Sequence, residues 1–243
     1  MSTWSPEQYE KFKAERAQPF WDLVALIDPR QHMRILDLGC GTGELTRSLH
    51  KQLGARETLG IDSSAEMLAK APTTPGLHFQ KASIETFGQK GFDLIFSNAA
   101  LHWVSNHERV FPMLAGMLTR DGQLAVQMPA NDDHPSHTTA ADVARKLGIE
   151  VRPVSLLSPE RYAELLFELG FRRQHVRVQI YGHTLASSED VIEWVKGTLL
   201  TFYEGRDPRF MPMYRELLLA RLGIHKPYFY TYKRILIWSS LLG

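Results

Sequence analysis

The stretch "ILDLGCGTGELT", Ile35 to Thr46, constrains this chain more than any other. It opens as an apolar strand interrupted by Asp37, passes three glycines in five positions, and runs into a pattern of helical spacing. A strand that ends on glycines and hands over to a helix is the first half of a βαβ unit. The glycines supply positive φ and let the main chain approach a ligand without Cβ atoms in the way. The alternation then repeats, with strands expected at 34–39, 57–62, 77–82, 92–98 and 122–129. Between them "GELTRSLHKQL", "SAEMLAKA" and "HERVFPMLAGML" place apolar residues at helical spacing. Asp121-Gly122 reads as a tight turn into the fifth strand. The pattern predicts an α/β chain built on a parallel sheet.

Beyond Pro129 the alternation breaks. "NDDHPSHTTAADVARKLG" reads as a loop and a helix. "SPERYAELLFELGF" carries Ser158 as N-cap, Pro159 in the first turn and Gly170 at the close. "RRQHVRVQIYGHTL" is a strand, "SSEDVIEWVKGTLL" a capped helix, 211–222 a further helix, and "PYFYTYKRILIWSS" a final aromatic strand. The picture is a doubly wound sheet with a helical elaboration. It is expected to form one domain over 1–243: a helical cover (1–30), a ligand-binding core (31–130), a helical elaboration with one strand (131–225) and a C-terminal strand (226–243).

Bulk composition narrows the partners. A formal charge of +1 gives no electrostatic footprint for nucleic acid and no polybasic membrane anchor. The single cysteine excludes an internal disulfide framework and suits a reducing cytoplasm. No signal-peptide core or membrane-spanning run is present, so a cytoplasmic protein is expected.

The glycine turn is spaced G-x-G-x-G, not the G-x-G-x-x-G of dinucleotide sites, and Glu44 stands where the last glycine would be. A carboxylate at the start of a helix repels a pyrophosphate. No P-loop pattern occurs either. A cationic nucleoside such as S-adenosylmethionine fits better. Asp62, closing the second strand, can accept bonds from both ribose hydroxyls. Asp37 can meet the ammonium, and the main-chain N–H groups of Gly39, Cys40, Gly41 and Gly43 can serve the ligand's carboxylate. Read singly, each feature has a plainer account: a strand-to-helix turn for the glycines, a helix N-cap for Asp62. Cys40 has no adjacent base in sequence and reads as a small packing residue.

With these motifs together, the sequence resembles the class I S-adenosylmethionine-dependent methyltransferases. "LDLGCGTG" resembles their first motif, "GIDSSAEMLAKA" their ribose-binding strand, and "FDLIFSNAALHWV" their fourth strand and following loop. The resemblance implies a Rossmann-like, doubly wound, seven-stranded sheet with a helical cap over the crevice. It also implies Ser63 and Met67 near the ribose and adenine, Ser83 and Ile84 at the adenine edge, and Asn98 among the cofactor contacts. Many members carry an acid where Ser83 stands. A narrower resemblance, to the bacterial trans-aconitate 2-methyltransferases, rests on "WSPEQYEKFKAERAQPF", "SNAALHW", "VQMPAN", "SPERYAELLFELGF" and "VIEWVKGT". It implies that Trp4 covers the cofactor and that Tyr9, Arg16, His102, Trp103 and Gln127 line the acceptor cavity. The final strand reads "YTYKRIL" where the family has a phenylalanine-rich segment with paired arginines.

The expected product is a methyl ester of a small polycarboxylic acid, leaving S-adenosylhomocysteine. Such an acceptor is already anionic at neutral pH, so no catalytic base is required. If the acceptor were a hydroxyl or amine, His102 would be the base. A non-catalytic binding module is the third reading. Carboxylates call for arginine: Arg16 first, then Arg234, with Arg206 and Arg209 behind. Tyr232 is the aromatic expected to face the acceptor. Met67 by periodicity alone is equally a packing residue, and His102 with Trp103 a plug into the core. Asp132, Asp133, His134 and His137 lack a metal-ligand pattern, so no metal is expected. Partners are limited to a small acidic molecule, without nucleic acid or membrane, for a monomer or homodimer.

Overall fold

The computed structural model describes residues 13–242, with side chains from 17 onward. A seven-stranded sheet runs in the order β3-β2-β1-β4-β5-β7-β6. Its strands are β1 (Arg34–Leu38), β2 (Glu57–Asp62), β3 (Leu77–Lys81), β4 (Phe92–Asn98), β5 (Leu118–Pro129), β6 (Arg173–Leu185) and β7 (Tyr228–Ser240). β1 to β5 are parallel, and β7 returns antiparallel to β5, with Gln123 opposite Ser240 and Pro129 opposite Arg234. Strand order reverses between β1 and β4, so the crevice of the fold opens beyond Leu38 and Asn98.

The chain divides into two compact units. One comprises 16–129, 155–179 and 234–243. It holds β1 to β5, helix α1 (Lys13–Val24) from residue 16 onward, and helices α2 (Glu44–Gln52), α3 (Ala65–Leu68), α4 (His107–Ala115) and α6 (Pro159–Glu168). Ile35, Leu36 and Leu38 are wholly buried, which explains why β1 reads as continuous apolar sequence with a single acid. Phe20 and Leu23 of α1 pack over the sheet, with Phe20 edge-on to Phe96 at 5.5 Å. The Ser158 side chain accepts from the Arg161 N–H at 3.2 Å, the N-cap expected from sequence.

The second unit includes 130–154 and 180–233. It carries α5 (Pro135–Leu147), α7 (Asp190–Lys196), α8 (Phe210–Leu222) and the outer stretches of β6 and β7. Val143, Val191, Tyr214 and Tyr230 are buried in its own core.

Three local expectations change. β5 begins at Leu118, so Asp121-Gly122 lies inside an irregular strand rather than in a turn before it. The register shifts between Phe92 and Leu94, and the Thr119 hydroxyl donates to Asp93 Oδ1 at 3.2 Å. "SAEMLAKA" yields only the single turn Ala65–Leu68. Ahead of α7, Asp190 Oδ2 accepts from both the N–H and the hydroxyl of Ser187, while Glu189 at the N-cap position makes no capping bond.

Candidate active site

Beyond β1, Gly39, Gly41 and Gly43 adopt φ of 71°, 57° and 74°, in the left-handed region. Space decides which neighbour each glycine serves. A Cβ on Gly39 would lie 2.2 Å from the Ala100 Cβ, and one on Gly43 would lie 2.4 Å from the Phe79 ring. Those two are glycines because protein packs on them. A Cβ on Gly41 would meet nothing within 4 Å, so the turn's open face is at Gly41.

The amides of Gly39, Cys40, Gly41 and Gly43 are committed internally. Gly39 and Cys40 donate to the Ile61 carbonyl at 2.8 and 3.0 Å, and Gly43 donates to the Cys40 carbonyl at 3.0 Å. Gly41 donates to Asp62 Oδ2 at 2.9 Å. The expectation that these N–H groups stand ready for a ligand carboxylate is therefore corrected: those of Gly39, Cys40 and Gly41 fasten the turn to β2, and that of Gly43 closes the turn on itself.

Two carboxylates flank the turn. Asp62 accepts from Gly41 through one oxygen and from the Ser64 N–H at 2.8 Å through the other. It is not the N-cap of α3; that role falls to Ser64, which accepts from Met67 N–H at 3.2 Å. Each Asp62 oxygen keeps a further lone pair. Asp37 is buried, and Thr46, in the first turn of α2, donates its hydroxyl to Oδ2 at 2.6 Å. Burial pushes the Asp37 carboxyl up to about 7, against the pull of Thr46 and with the charge of Asp62 adding. Burial, with the charges of Asp37 and Asp62, also pushes the Cys40 thiol well up, in keeping with a small packing residue rather than a nucleophile. Glu44 is exposed and pairs with Arg47 at 2.6 Å.

The remaining candidates of this unit lie around the same strand ends. Ser63 is exposed and Met67 half-buried after β2. Ser83 caps a 3-10 turn at Ile84–Thr86, accepting from the Glu85 N–H at 3.3 Å. At the end of β4, Asn98 Oδ1 accepts from Gln127 Nε2 at 2.8 Å, and Gln127 Oε1 accepts from Arg234 Nη1 at 3.4 Å. The His102 ring lies 4.8 Å from that of Trp103, which is 63% exposed. Trp103 is therefore not a plug into the core.

In the other unit, Tyr232 is buried and stacks on Tyr181 at 5.4 Å. Arg206 pairs with Glu150 and Arg209 with Asp207 at the surface. His134 caps α5, its Nδ1 accepting from the Ser136 N–H at 3.1 Å, and Asp133 pairs with Lys233. Among the described residues no group of acids, histidines and cysteine could hold a metal ion, and no helix is long and apolar enough to cross a membrane. Trp4 and Tyr9 lie outside the described residues. Arg16 falls within α1, but its side chain lies outside them too.

Sequence reasoning missed the supporting groups. Thr46 had a readable signal, since it follows Asp37 by nine residues on the first turn of α2. Ala100 behind Gly39 and Phe79 behind Gly43 had none, because strand packing brings them there.

A family model described as "Methyltransferase domain" matches residues 9–176. A curated relative from Deinococcus radiodurans, named trans-aconitate 2-methyltransferase, is 41% identical over 98% of each chain. Among solved structures, the YcgJ protein of Bacillus subtilis superimposes with a TM-score of 0.61 at 17% identity, over 93% of this chain and 98% of its own. An S-adenosylmethionine dependent methyltransferase from Mesorhizobium loti does so with a TM-score of 0.53 at 19% identity, over 94% and 99%.

Proposed function

Because this chain belongs to the methyltransferase family, we propose that it esterifies a carboxylate of a small polycarboxylic acid, trans-aconitate in the first instance, with S-adenosylmethionine as donor. The acceptor class comes from the full-length relative. The observation that carries the cofactor is the pair of carboxylates at the glycine turn: Asp62, bonded to the Gly41 N–H where the turn is open, and Asp37, buried at the end of β1. That arrangement suits a cation and disfavours a pyrophosphate. Asp62 retains one acceptor site on each oxygen, matching two adjacent ribose hydroxyls. Asp37, buried with one hydroxyl partner, gains most from an ammonium nearby. Ser63, Met67, Ser83, Ile84 and Asn98 complete the cofactor wall.

When bound, S-adenosylmethionine supplies a methyl group on a sulfonium, open to in-line displacement. The chain's own contribution is placement, which can supply much of such an acceleration. A carboxylate acceptor is ionised near neutral pH, so no residue has to remove a proton. Arg16 and Arg234 hold the acceptor's remaining carboxylates, and His102, Trp103 and Gln127 shape the cavity. The hydroxyl- or amine-directed alternative and the non-catalytic module have no supporting observation. The enzyme acts in the cytoplasm, as a single methyltransferase domain, monomeric or dimeric.

The test is a panel of small acids with methyl-labelled cofactor, followed by mass spectrometry. A monomethyl ester of trans-aconitate is expected, with no transfer to its triester and loss of turnover in Arg16→Ala. Binding of S-adenosylhomocysteine without transfer to any acid in the panel would overturn the acceptor assignment.

A further inference from the structure

The loop between β4 and α4 carries His102 and Trp103, and its backbone is unusually constrained. Ala99 sits at φ 54° and Asn106 at φ 56°, so the loop is bracketed by two left-handed residues. A left-handed alanine persists only where its surroundings over-determine it. Several groups do so here. The Ala99 N–H donates to the Gln127 carbonyl at 2.9 Å. The Leu101 carbonyl accepts from His107 Nε2 at 3.0 Å, and the His102 carbonyl accepts from the Ser155 hydroxyl at 2.9 Å.

His107 is 1% exposed, and its ring has a definite assignment. A carbonyl can only accept, so Nε2 carries the proton, and the neutral ring leaves Nδ1 as an acceptor. The hydroxyl of Tyr162, on α6, fills that position and itself accepts from the Leu157 N–H at 3.2 Å. Burial lowers the pKa of His107, in keeping with a neutral ring. Tyr162 is fully buried against Phe111, with ring centroids 5.2 Å apart, so the hydroxyl has little freedom to leave. The loop meanwhile touches the glycine turn, because Ala100 is the residue against which Gly39 packs.

We propose that Tyr162 and His107, with Ser155, are positioning residues: through the Leu101 and His102 carbonyls they hold Ala100 against Gly39 and so keep the turn at Gly41 in its ligand-binding shape. The relay runs from α6 through the start of α4 into the loop and across to β1. Tyr162 and His107 are buried, so they act on the turn through the loop. The inference rests on the proposed function for the identity of that ligand.

Isothermal calorimetry with S-adenosylhomocysteine tests it, with melting temperatures recorded in parallel. Tyr162→Phe and His107→Phe should weaken binding by about tenfold, a factor equivalent to one lost hydrogen bond of the relay. His107→Gln, which can still donate to the Leu101 carbonyl, should recover to within about threefold of the wild type. A pair that is merely structural would lower the melting temperature and leave the affinity of the folded protein unchanged. That result for Tyr162→Phe overturns the inference. If Tyr162→Phe does not fold, Ser155→Ala decides: weaker binding supports the relay, and wild-type affinity overturns it. Failure of the wild type itself to bind would instead strike the proposed function.

Discussion

At the scale of single residues, Asp37 makes the sharpest statement. Its carboxyl, pushed up to about 7 by burial, releases its proton far above the ordinary value of 3.8. Between those two values the folded chain holds a proton that the unfolded chain has already lost. Protons bound are therefore fewer in the unfolded state, and stability from this group declines as pH rises from about 4 to about 7, then levels off. A cation beside Asp37 reverses the preference by favouring the ionised form. Calorimetry of S-adenosylhomocysteine at about pH 6, in two buffers of different ionisation enthalpy, should therefore register proton release up to about one proton. Affinity should rise towards about pH 8. Asp37→Asn should lose the release; the same release in that variant would remove Asp37 from the cation's side.

At the scale of elements, the strand–turn–helix unit shows how one motif contains glycines of different purpose. Gly41 and Gly54 share nearly the same φ, 57° and 55°, and both have open space where a Cβ would go. Alanine at either should cost about 1–2 kcal/mol, the penalty of a left-handed L-residue, readable by urea denaturation. Only Gly41→Ala should also lose affinity for S-adenosylhomocysteine, by about tenfold or more, because only there does a ligand come against the backbone. Equal affinity in the two variants would mean that the open face at Gly41 is ordinary surface. The elements were well marked in sequence where a side chain caps them, as Ser158 does for α6. They were badly marked at β5, where a non-regular start from Leu118 mimics a turn.

At the scale of the molecule, a ligand that binds only the folded state must stabilise it. At one hundred times its dissociation constant, S-adenosylhomocysteine should add about 2.7 kcal/mol. For a chain of this size that corresponds to a rise of about 5–10 °C in the melting temperature of the unit that carries the glycine turn. A melting temperature indifferent to the ligand would contradict cofactor binding altogether. The two compact units also divide the candidate residues: all the described cofactor candidates lie in the unit holding β1 to β5, whereas Tyr232 belongs to the core of the other.

The order of strands and helices, the turn at Gly39 to Gly43 and the acid ending β2 were legible in the sequence because each depends on neighbours a few positions away. Periodicity, capping and backbone conformation are local physics. Which hydrogen bonds the turn's amides make, why Gly39 and Gly43 cannot carry a side chain, and how Tyr162 reaches His107 across 55 residues were decided only in three dimensions. Burial and hydrogen-bond satisfaction join groups that the chain keeps far apart, and no local pattern encodes such a pairing.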